Sequence, residues 1–350
     1  MIPTQSVPEI LGRARRLVEP ALRAAVDRLS PELRPVAQYH LGWVDPDGQP
    51  VGGDGGKGVR PALALLSAEA VGAPAAIGVP GGVAVELVHN FSLIHDDVID
   101  GDDERRHRPT VWALFGVGRA VIVGDALLAL AQQVVLHPDE LVALGDAGPE
   151  PAAAARACSA IADATAQMIA GQALDMAFES VPGVDVEGCL AMEAGKTGAL
   201  LGCAASVGAL LAGADEVTVA ALDRYGRELG LAFQAVDDLL GIWGDPVRTG
   251  KPAWSDLRQH KKSLPVAAAL AAGGHQATEL AELLAVPELD EAAVARAAEL
   301  VERCGGRAVA TEEAERRLAS SLAALESVKL EETPRTELAD LARFVVEREF

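Results

Sequence analysis

Apolar residues recur along this chain with the period of an α-helix. From Ile10 to Leu29 they lie three or four positions apart, which places them on one face of a helix over 8–29. Further helical patterns begin at Pro61 and cover 82–99, 118–135, 152–180, 186–213, 216–243, 263–273, 276–285, 290–303, 307–326 and 334–348. No segment shows the alternation of a strand, and no internal repeat is present. The chain is therefore predicted to be all-α.

The domain organisation follows from an even composition. Half of the 350 residues are hydrophobic, mainly Ala, Leu and Val, which is enough to bury a large core of close-packed helices. Stretches rich in Gly, Pro and acids at 45–58 and 137–151 are predicted surface loops. No shift in composition marks a boundary. We expect a single large helical-bundle domain over 1–350, with an N-terminal segment at 1–50, a core at 51–270 and C-terminal helices at 271–350.

The acidic charge of the chain limits its partners. Against 51 Asp and Glu there are only 30 Lys and Arg, and the net charge of −21 repels nucleic acid and anionic lipid. An anionic ligand would need a metal ion or clustered basic residues. Aromatic residues make up 3%, which is too few for base stacking or a carbohydrate cleft.

Several features predict a cytoplasmic location. The four cysteines lack metal-ligand spacing and are too few for a disulfide scaffold. The N-terminus lacks the basic and apolar regions of a signal peptide. The uncharged stretch from Thr197 to Ala214 is marginal in length for a membrane span, so we expect a buried core helix there.

A first acidic cluster ends the apolar run at 82–99. Asp96 and Asp100 are four apart and share a helix face, and Asp97 lies three before Asp100. Like charges at this spacing destabilise a helix, and a hard cation such as Mg²⁺, which bridges carboxylates to phosphates, would remove that repulsion. The alternative is an acidic helix end exposed to water, although helix C-termini disfavour acids.

Basic residues follow this cluster directly. Arg105, Arg106 and Arg108 are three arginines within four residues of a strongly acidic chain. Guanidinium groups bind phosphate oxygens in bidentate fashion, so the segment indicates a phosphate site. Salt bridges to the neighbouring acids are the alternative.

A second pair of acids, Asp237 and Asp238, closes the apolar pattern at 216–243. The loop after it carries Lys251, Asp256 and Lys261. If the two acidic helix ends face one another, they would hold Mg²⁺ ions around a diphosphate, and the lysines would complete its neutralisation.

Two other basic positions fit a phosphate ligand. Lys57 and Arg60 lie three apart where a glycine-rich loop meets a helix, and a helix N-terminus favours anions. The segment lacks the spacing of a Walker loop. Lys196 precedes Thr197 in a neutral helical stretch, where an unpaired lysine would be costly; it either meets a phosphate or reaches water from a helix end.

Together these motifs resemble the trans-isoprenyl diphosphate synthases, or polyprenyl synthetases, over about residues 50–270. The motifs that carry the resemblance are GGKGVRP, ELVHNFSLIHDDVID, RRHRPT, GDALLALA, GQALD, Lys196-Thr197, and FQAVDDLLGIWGD followed by GKPAWSDLRQHKKSLP. The resemblance implies an all-α isoprenoid synthase fold, with an active-site cavity between the helices that carry the two Asp-rich motifs. It also implies an Mg²⁺-dependent condensation of isopentenyl diphosphate with an allylic diphosphate.

The resemblance assigns roles to individual residues. Three Mg²⁺ ions would be held by Asp96, Asp100 and Asp237, with Asp97 and Asp238 assisting. The diphosphate of the allylic substrate would meet Arg105, Lys196 and Lys251. The diphosphate of isopentenyl diphosphate would meet Lys57, Arg60, His89 and Arg106. Thr197, Gln234 and Lys261 would line the reacting centre, and Phe233 would contact substrate.

The chain departs from the family pattern at three positions. Gly241 stands where the family usually has a third Asp, and Asp245, one turn beyond, would act through water in its place. Gly58 replaces a common Arg, and His107 replaces a usual Gly. These departures bear on rate and substrate more than on family.

Product length should depend on the floor of the apolar tunnel. Phe91 and Ser92 lie five and four residues before the first Asp of the cluster, one helical turn below the metal site. An aromatic followed by a small residue, with no insertion in DDVID, resembles archaeal-type geranylgeranyl (C20) synthases. Farnesyl (C15) and C25 products are alternatives, as is an ordinary core role for Phe91.

Two other functions are alternatives for a chain with these motifs. A class I terpene synthase would cyclise its substrate, but such enzymes use aromatic residues against cations, and these are few here. A non-catalytic subunit of a heteromeric synthase usually lacks an Asp cluster, whereas both are present.

The resemblance also bears on partners. Family members are usually homodimers, and helices 82–99 and 118–135 would supply the interface. The N-terminal third, including HLGWVDPDG, is also similar to actinobacterial polyprenyl transferases packaged in an encapsulin shell. Those carry a long loading extension, and about seven residues precede the first helix here, so we do not expect encapsulin cargo.

Overall fold

The structure is a computed structural model of the chain, and it describes residues 5–51, 58–140, 148–179, 181, 183–246 and 253–346. Lys57 and Lys251, two of the predicted phosphate ligands, lie outside these residues. Most of the described chain is helical, as the apolar period predicts.

The helices are numbered here in chain order. They are α1 (Val7–Val26), α2 (Arg34–His40), α3 (Val59–Ala70), α4 (Ala75–Asp100), α5 (Val111–Phe115), α6 (Val117–Leu136), α7 (Pro151–Glu179), α8 (Val186–Glu193), α9 (Ala199–Leu211), α10 (Glu216–Trp243), α11 (Ser255–Arg258), α12 (Leu264–Ala271), α13 (Gly274–Leu284), α14 (Glu291–Arg303), α15 (Gly306–Glu326) and α16 (Glu332–Val346). Most predicted helix ends lie within three residues of the observed ones. The short helices α2, α5 and α11 were not predicted, because they are too short to show a period.

The helices form two compact units. One consists of Met1–Thr165, Cys203–Asp223 and Val328–Leu338, and the other of Ala166–Gly202, Arg224–Ser327 and Ala339–Phe350. The prediction of a single domain over 1–350 stays a prediction.

In the first unit, α4 lies at the centre and packs against α3 and α6. Its approach to α3 is close because Gly78 has no side chain: a β-carbon there would lie 2.5 Å from the carbonyl oxygen of Ala64. The contact buries Leu63, Leu65 and Leu66 of α3 completely or almost so. This packing fixes the helix that carries the first acidic cluster.

In the second unit, α12 packs between α8 and α15. Leu264 and Ala267 of α12 join Val236 and Leu239 of α10 in one apolar cluster, so α12 is held against the helix that carries the second acidic pair. The predicted position of that pair needs a correction. Asp237 and Asp238 lie inside α10, which continues to Trp243, rather than at its end.

A short β-hairpin, which the apolar pattern did not predict, follows α4. Strand β1 (Glu104–Arg105) pairs antiparallel with β2 (Arg108–Pro109). Arg106 and His107 form the two-residue turn, and both have positive φ, 53° and 61°. Such turns favour Asn and Gly, so the hairpin holds two residues in a strained conformation.

Within the residues that the structure describes, three helical stretches are long and apolar enough to cross a membrane by length and composition. Ala75–Asp100 and Val186–Leu211 are each 78% buried within the protein, and Val117–Leu136 is 44% buried. The second range contains most of the uncharged stretch that was predicted to be a core helix, and its residues from Ala199 to Leu210 are all buried.

Candidate active site

The first acidic cluster lies on the last turn of α4. Asp100 is its final helical residue, and Gly101 ends the helix in the left-handed conformation, with φ of 70°. Asp96 is half-buried and Asp100 is exposed. Asp97 is buried, and the Arg105 guanidinium binds its Oδ1 at 2.6 Å. The hairpin therefore places Arg105, a predicted phosphate ligand, against the acidic end of α4. This contact is the salt bridge that the sequence offered as the alternative for these arginines.

Charged groups lie half-buried between α3 and α4. Arg60, in the first turn of α3, faces Glu86 and His89 of α4. Burial raises the pKa of Glu86, which the Arg60 charge opposes. Burial and then the Arg60 and Arg106 charges lower the pKa of His89 well below its usual range, so its imidazole is neutral. Within the described residues Arg60 Nε has no hydrogen-bond partner.

A cavity of about 240 Å³ opens beside these groups. Its lining includes Tyr39, His40, Asn90, Asp97, Arg105 and Arg106. Burial and three nearby guanidinium groups lower the pKa of His40 to about 3. The cavity is thus electropositive in a protein of high negative charge, which suits a phosphate group.

Phe91 and Ser92 lie one turn before the acidic cluster. The Phe91 ring is buried and packs edge-on against His95, with ring centroids 4.8 Å apart. Ser92 donates a hydrogen bond to the His89 carbonyl at 2.9 Å. His95 in turn sits over Gly124 of α6, which has no side chain to displace it.

Lys196 and Thr197 lie in a π-helical turn, Ala194–Gly198, between α8 and α9. The backbone there is close to α7, because a β-carbon on Gly171 would lie 2.8 Å from Lys196 Cα. Single π turns inside α-helices are rare, and those that occur are often found at functional sites. Lys196 has an acidic partner in the same unit: its Nζ lies 2.5 Å from Asp175 Oδ2. The sequence indicated a phosphate or water as the partner of this lysine and did not indicate Asp175.

A hydrogen-bonded chain runs from the π turn into α10. Thr197 Oγ1 donates to Gln234 Oε1 at 3.2 Å, and Gln234 Nε2 donates to Asp238 Oδ1 at 3.0 Å. Asp238 Oδ2 accepts the backbone N–H of Leu264 at 2.8 Å, which caps the start of α12. Burial raises the pKa of Asp238 to about 6. Asp237, beside it, is half-buried.

Asp256 occupies the place that a side chain at position 241 would take. A β-carbon on Gly241 would lie 2.7 Å from Asp256 Oδ1 and closer still to Oδ2. Lys261 Nζ lies 3.8 Å from the same carboxylate. Burial opposes protonation of Lys261, but Asp256, Asp237 and Asp238 raise its pKa. A carboxylate is thus present where the sequence lacks the third Asp.

The structure therefore groups the predicted residues within each unit. The first unit joins Asp97 to Arg105 and Arg60 to His89; the second joins Thr197, Gln234 and Asp238. Two residues were missed, Glu86 and Glu193, and so was the position of Asp256 beside Gly241. Glu86 lies one turn from His89 and Glu193 one turn from Lys196, so helical spacing could have indicated both.

The acidic residues are suitable for a hard cation. Asp96, Asp100 and Asp237 offer only carboxylate oxygens, the donors that Mg²⁺ prefers, and none of the three is buried. Asp97 and Asp238 are buried and already accept hydrogen bonds from protein groups.

Comparisons with known proteins identify the family. Residues 49–301 match the family model described as polyprenyl synthetase. The chain is 48% identical to a (2E,6E)-farnesyl diphosphate synthase of Mycobacterium tuberculosis (strain ATCC 25618 / H37Rv), over 99% of this chain and 94% of that protein. It is 45% identical to a geranylgeranyl diphosphate synthase of the same organism, over 93% and 90%. The crystal structure of a polyprenyl synthetase from Streptomyces coelicolor A3(2) has a TM-score of 0.91 at 52% identity, covering 97% of this chain and all of that one.

The helical architecture and these matches define an all-α isoprenoid synthase. The chain belongs to the polyprenyl synthetase family, and it is a polyprenyl diphosphate synthase, a transferase of prenyl groups. The predicted family, fold class and enzyme class are confirmed. The family is magnesium-dependent.

Proposed function

We propose that this enzyme condenses isopentenyl diphosphate with an allylic diphosphate to a longer all-trans prenyl diphosphate and releases diphosphate. The observation that carries the proposal is the end of α4, where carboxylate oxygens stand beside Arg105 and Arg106 in a chain of net charge −21. Acids and arginines together suit a metal-bound diphosphate, whereas acids alone would repel one.

In this proposal Asp96, Asp100 and Asp237 would hold Mg²⁺, three ions as the resemblance implies, and the bound metal would supply the positive charge that a leaving diphosphate needs. Lys196 leaves Asp175 for the same diphosphate, and Lys251 contributes a further positive charge. Asp97 and Asp238 act as supports rather than ligands, because protein groups already hold their oxygens.

Isopentenyl diphosphate would occupy the electropositive side of the first unit. Arg60 and Arg106 supply the positive charge, together with Lys57. A neutral His89 donates or accepts a hydrogen bond without adding charge, in keeping with its lowered pKa. Glu86 holds the half-buried Arg60 in place and offsets part of the cost of desolvating it.

The reacting centre would lie near Thr197 and Gln234. Their oxygen dipoles stabilise the positive charge that develops on the allylic carbon as diphosphate leaves. Lys261 and Phe233 help to exclude water from that charge. The departing diphosphate takes the proton released after the double bond attacks, so no side-chain base is required.

We propose geranylgeranyl diphosphate (C20) as the main product. The relatives named above are a farnesyl (C15) and a geranylgeranyl (C20) diphosphate synthase, so both lengths occur among similar proteins. We expect the residues at the floor of the tunnel to select between these lengths. Phe91 is only 6% exposed and is braced by His95, which makes it a rigid barrier. Ser92 beside it is small and turned back to its own helix.

The enzyme would act as a cytoplasmic homodimer. The α6 helix exposes an apolar face at Val117, Val121 and Ile122, with exposed fractions from 39% to 55%. A patch of this kind is typical of a buried interface in the assembled protein. Size-exclusion chromatography with light scattering measures the assembly, and Ile122→Glu should yield monomer if this face is used.

One incubation series tests the activity. The enzyme is given Mg²⁺, isopentenyl diphosphate and each of dimethylallyl, geranyl, farnesyl and geranylgeranyl diphosphate, and products are analysed with and without phosphatase. Linear alcohols that appear only after phosphatase support the proposal and give the chain length. A volatile hydrocarbon formed without isopentenyl diphosphate would identify a terpene synthase instead.

The tunnel floor has its own test. Phe91→Ala should shift the products to C25 and longer, because it opens the tunnel by the volume of a ring. Val85→Ala is the control: Val85 is buried in α4 too, about 240° around the helix from Phe91. Unchanged product length in the Phe91 variant would assign that residue to the core alone.

A further inference from the structure

Glu193 is a buried carboxyl group that the proposed reaction does not use. It is the last residue of α8, just before the π turn, and is 2% exposed. Cys189 donates its S–H toward Glu193 Oε1 at 3.3 Å. In the described part of the chain, Glu193 Oε2 accepts no hydrogen bond. A carboxyl oxygen of Glu193 lies within 4.8 Å of one from Asp238, which is one helical turn after Gln234 on α10.

The Asp238 carboxylate has fixed partners on both oxygens. Oδ2 accepts from the Leu264 backbone and Oδ1 accepts from the Gln234 amide. Both of these contacts use Asp238 as an acceptor. A hydrogen bond between the two carboxyl groups therefore needs its proton on Glu193. Glu193 meets this requirement as a neutral carboxylic acid, whose proton bridges the two groups.

The direction of this bond propagates to the π turn. With Asp238 as acceptor, the NH₂ side of Gln234 must face it, and the carbonyl side must face Thr197. The Thr197 hydroxyl then donates its proton to Gln234 Oε1. Its oxygen lone pairs are left as the part of the side chain that can face a positive charge.

We propose that Glu193 is a positioning residue, which holds Asp238 from behind and thereby sets the orientation of Gln234 and Thr197 for the transfer reaction. The proposal rests on the prenyl transfer proposed above. Three ligand-type atoms, from Cys189, Glu193 and Asp238, also lie within 4.8 Å of one another, the arrangement of a buried metal site. That alternative needs an ionised Glu193, so the two readings differ in what a glutamine does there.

Two substitutions of Glu193 distinguish a positioning role from a buried metal site. Glu193→Gln keeps an oxygen for Cys189 and supplies an N–H donor to Asp238, whereas Glu193→Met has a similar length and neither group. The control is Glu187→Met, an exposed position on the same helix. For each variant, kcat and KM for both diphosphates are measured, with helix content by circular dichroism.

A positioning role predicts a split between the variants. Glu193→Gln and Glu187→Met should stay within about twofold of the wild-type kcat, and Glu193→Met should lose about tenfold or more in kcat with KM little changed. A Glu193→Met enzyme with wild-type kcat would overturn the proposal. An equal loss in Glu193→Gln would overturn it too, because the charge of Glu193 would then be what matters.

Crystal structures of both variants give a readout that does not depend on turnover. The Thr197–Gln234 and Gln234–Asp238 hydrogen bonds should persist in Glu193→Gln and break in Glu193→Met. If the wild-type enzyme makes no prenyl diphosphate, the proposed function fails. The lengths of these two hydrogen bonds in the variants then decide the role of Glu193 by themselves. Intact bonds in the methionine variant would refute it.

Discussion

Gly241→Asp would restore the aspartate that the family usually carries in its second acidic motif, yet we expect it to damage this enzyme. The carboxylate of Asp256 already fills the space above Gly241, and Asp256 is 5% exposed, so it has little room to move away. Position 241 itself is buried on α10. The new side chain would meet a buried acid of the same charge.

The magnitude has a steric and an electrostatic part. A β-carbon 2.7 Å from Asp256 Oδ1 forces a shift of backbone or side chain, and overpacking of this kind costs about 1–3 kcal/mol. A second buried carboxylate beside the first adds at least about 1–2 kcal/mol, since one of the two must take up a proton. We expect the free energy of unfolding to fall by about 3 kcal/mol.

Urea unfolding followed by circular dichroism measures this change. Gly241→Ala is the matched control: it retains the clash but adds no charge, and it gains about 1 kcal/mol of helix propensity. It should therefore lose about 0–2 kcal/mol. The aspartate variant should also be less active than wild type in the prenyl transfer assay.

Asp256→Gly completes a double-mutant cycle. Removing the Asp256 side chain makes room for an aspartate at 241, so the double variant should be more stable than the sum of the single losses, with a coupling of about 2 kcal/mol. A Gly241→Asp protein as stable as wild type would refute the reasoning, as would a cycle whose two losses simply add.

Three further changes follow from the described contacts. Because the pKa of folded His40 is about 3, its side chain takes up a proton on unfolding below its ordinary pKa of 6.5, and stability is lost as the pH falls. In urea unfolding, His40→Gln should remove about 2 kcal/mol of the loss between pH 7 and pH 5, and an unchanged pH dependence would contradict the burial of His40. His107→Gly relieves about 1–2 kcal/mol of left-handed strain against about 0.5–1 kcal/mol of added chain entropy, so urea unfolding should show a small gain, and a loss would contradict the strain. Gly171→Ala should cost about 2 kcal/mol and displace the π turn in a crystal structure, whereas Gly12→Ala, which has room, should not destabilise.

Much of the site was predictable because its signals are local. Asp96 and Asp100 lie four residues apart, and that spacing alone puts them on one helix face whatever surrounds the helix. The same holds for Arg60 at the start of α3 and for Lys196 beside Thr197. Motif order along the chain identified the family, since each motif is a short run of residues that function together.

The contacts of those residues could not be read in this way. Asp97 and Asp238 look like their neighbours Asp96 and Asp237 in sequence, and only the folded structure shows that the first two are buried and the other two are not. The hairpin at 104–109 was missed because strands of two residues have no alternation to detect. Gly241 looked like a missing ligand, because no local pattern shows that Asp256 packs on it.

The amino-acid sequence alone is enough to establish the helices, the acidic clusters and the family. The 3.6-residue period and the motif spacings are properties of short segments, and tertiary contacts leave them unchanged. The proximity of Glu193 to Asp238 and the packing of Asp256 against Gly241 are visible only in the folded structure. Both contacts join segments 15 or more residues apart, and they depend on how closely two backbones approach, which is set by packing across the whole unit.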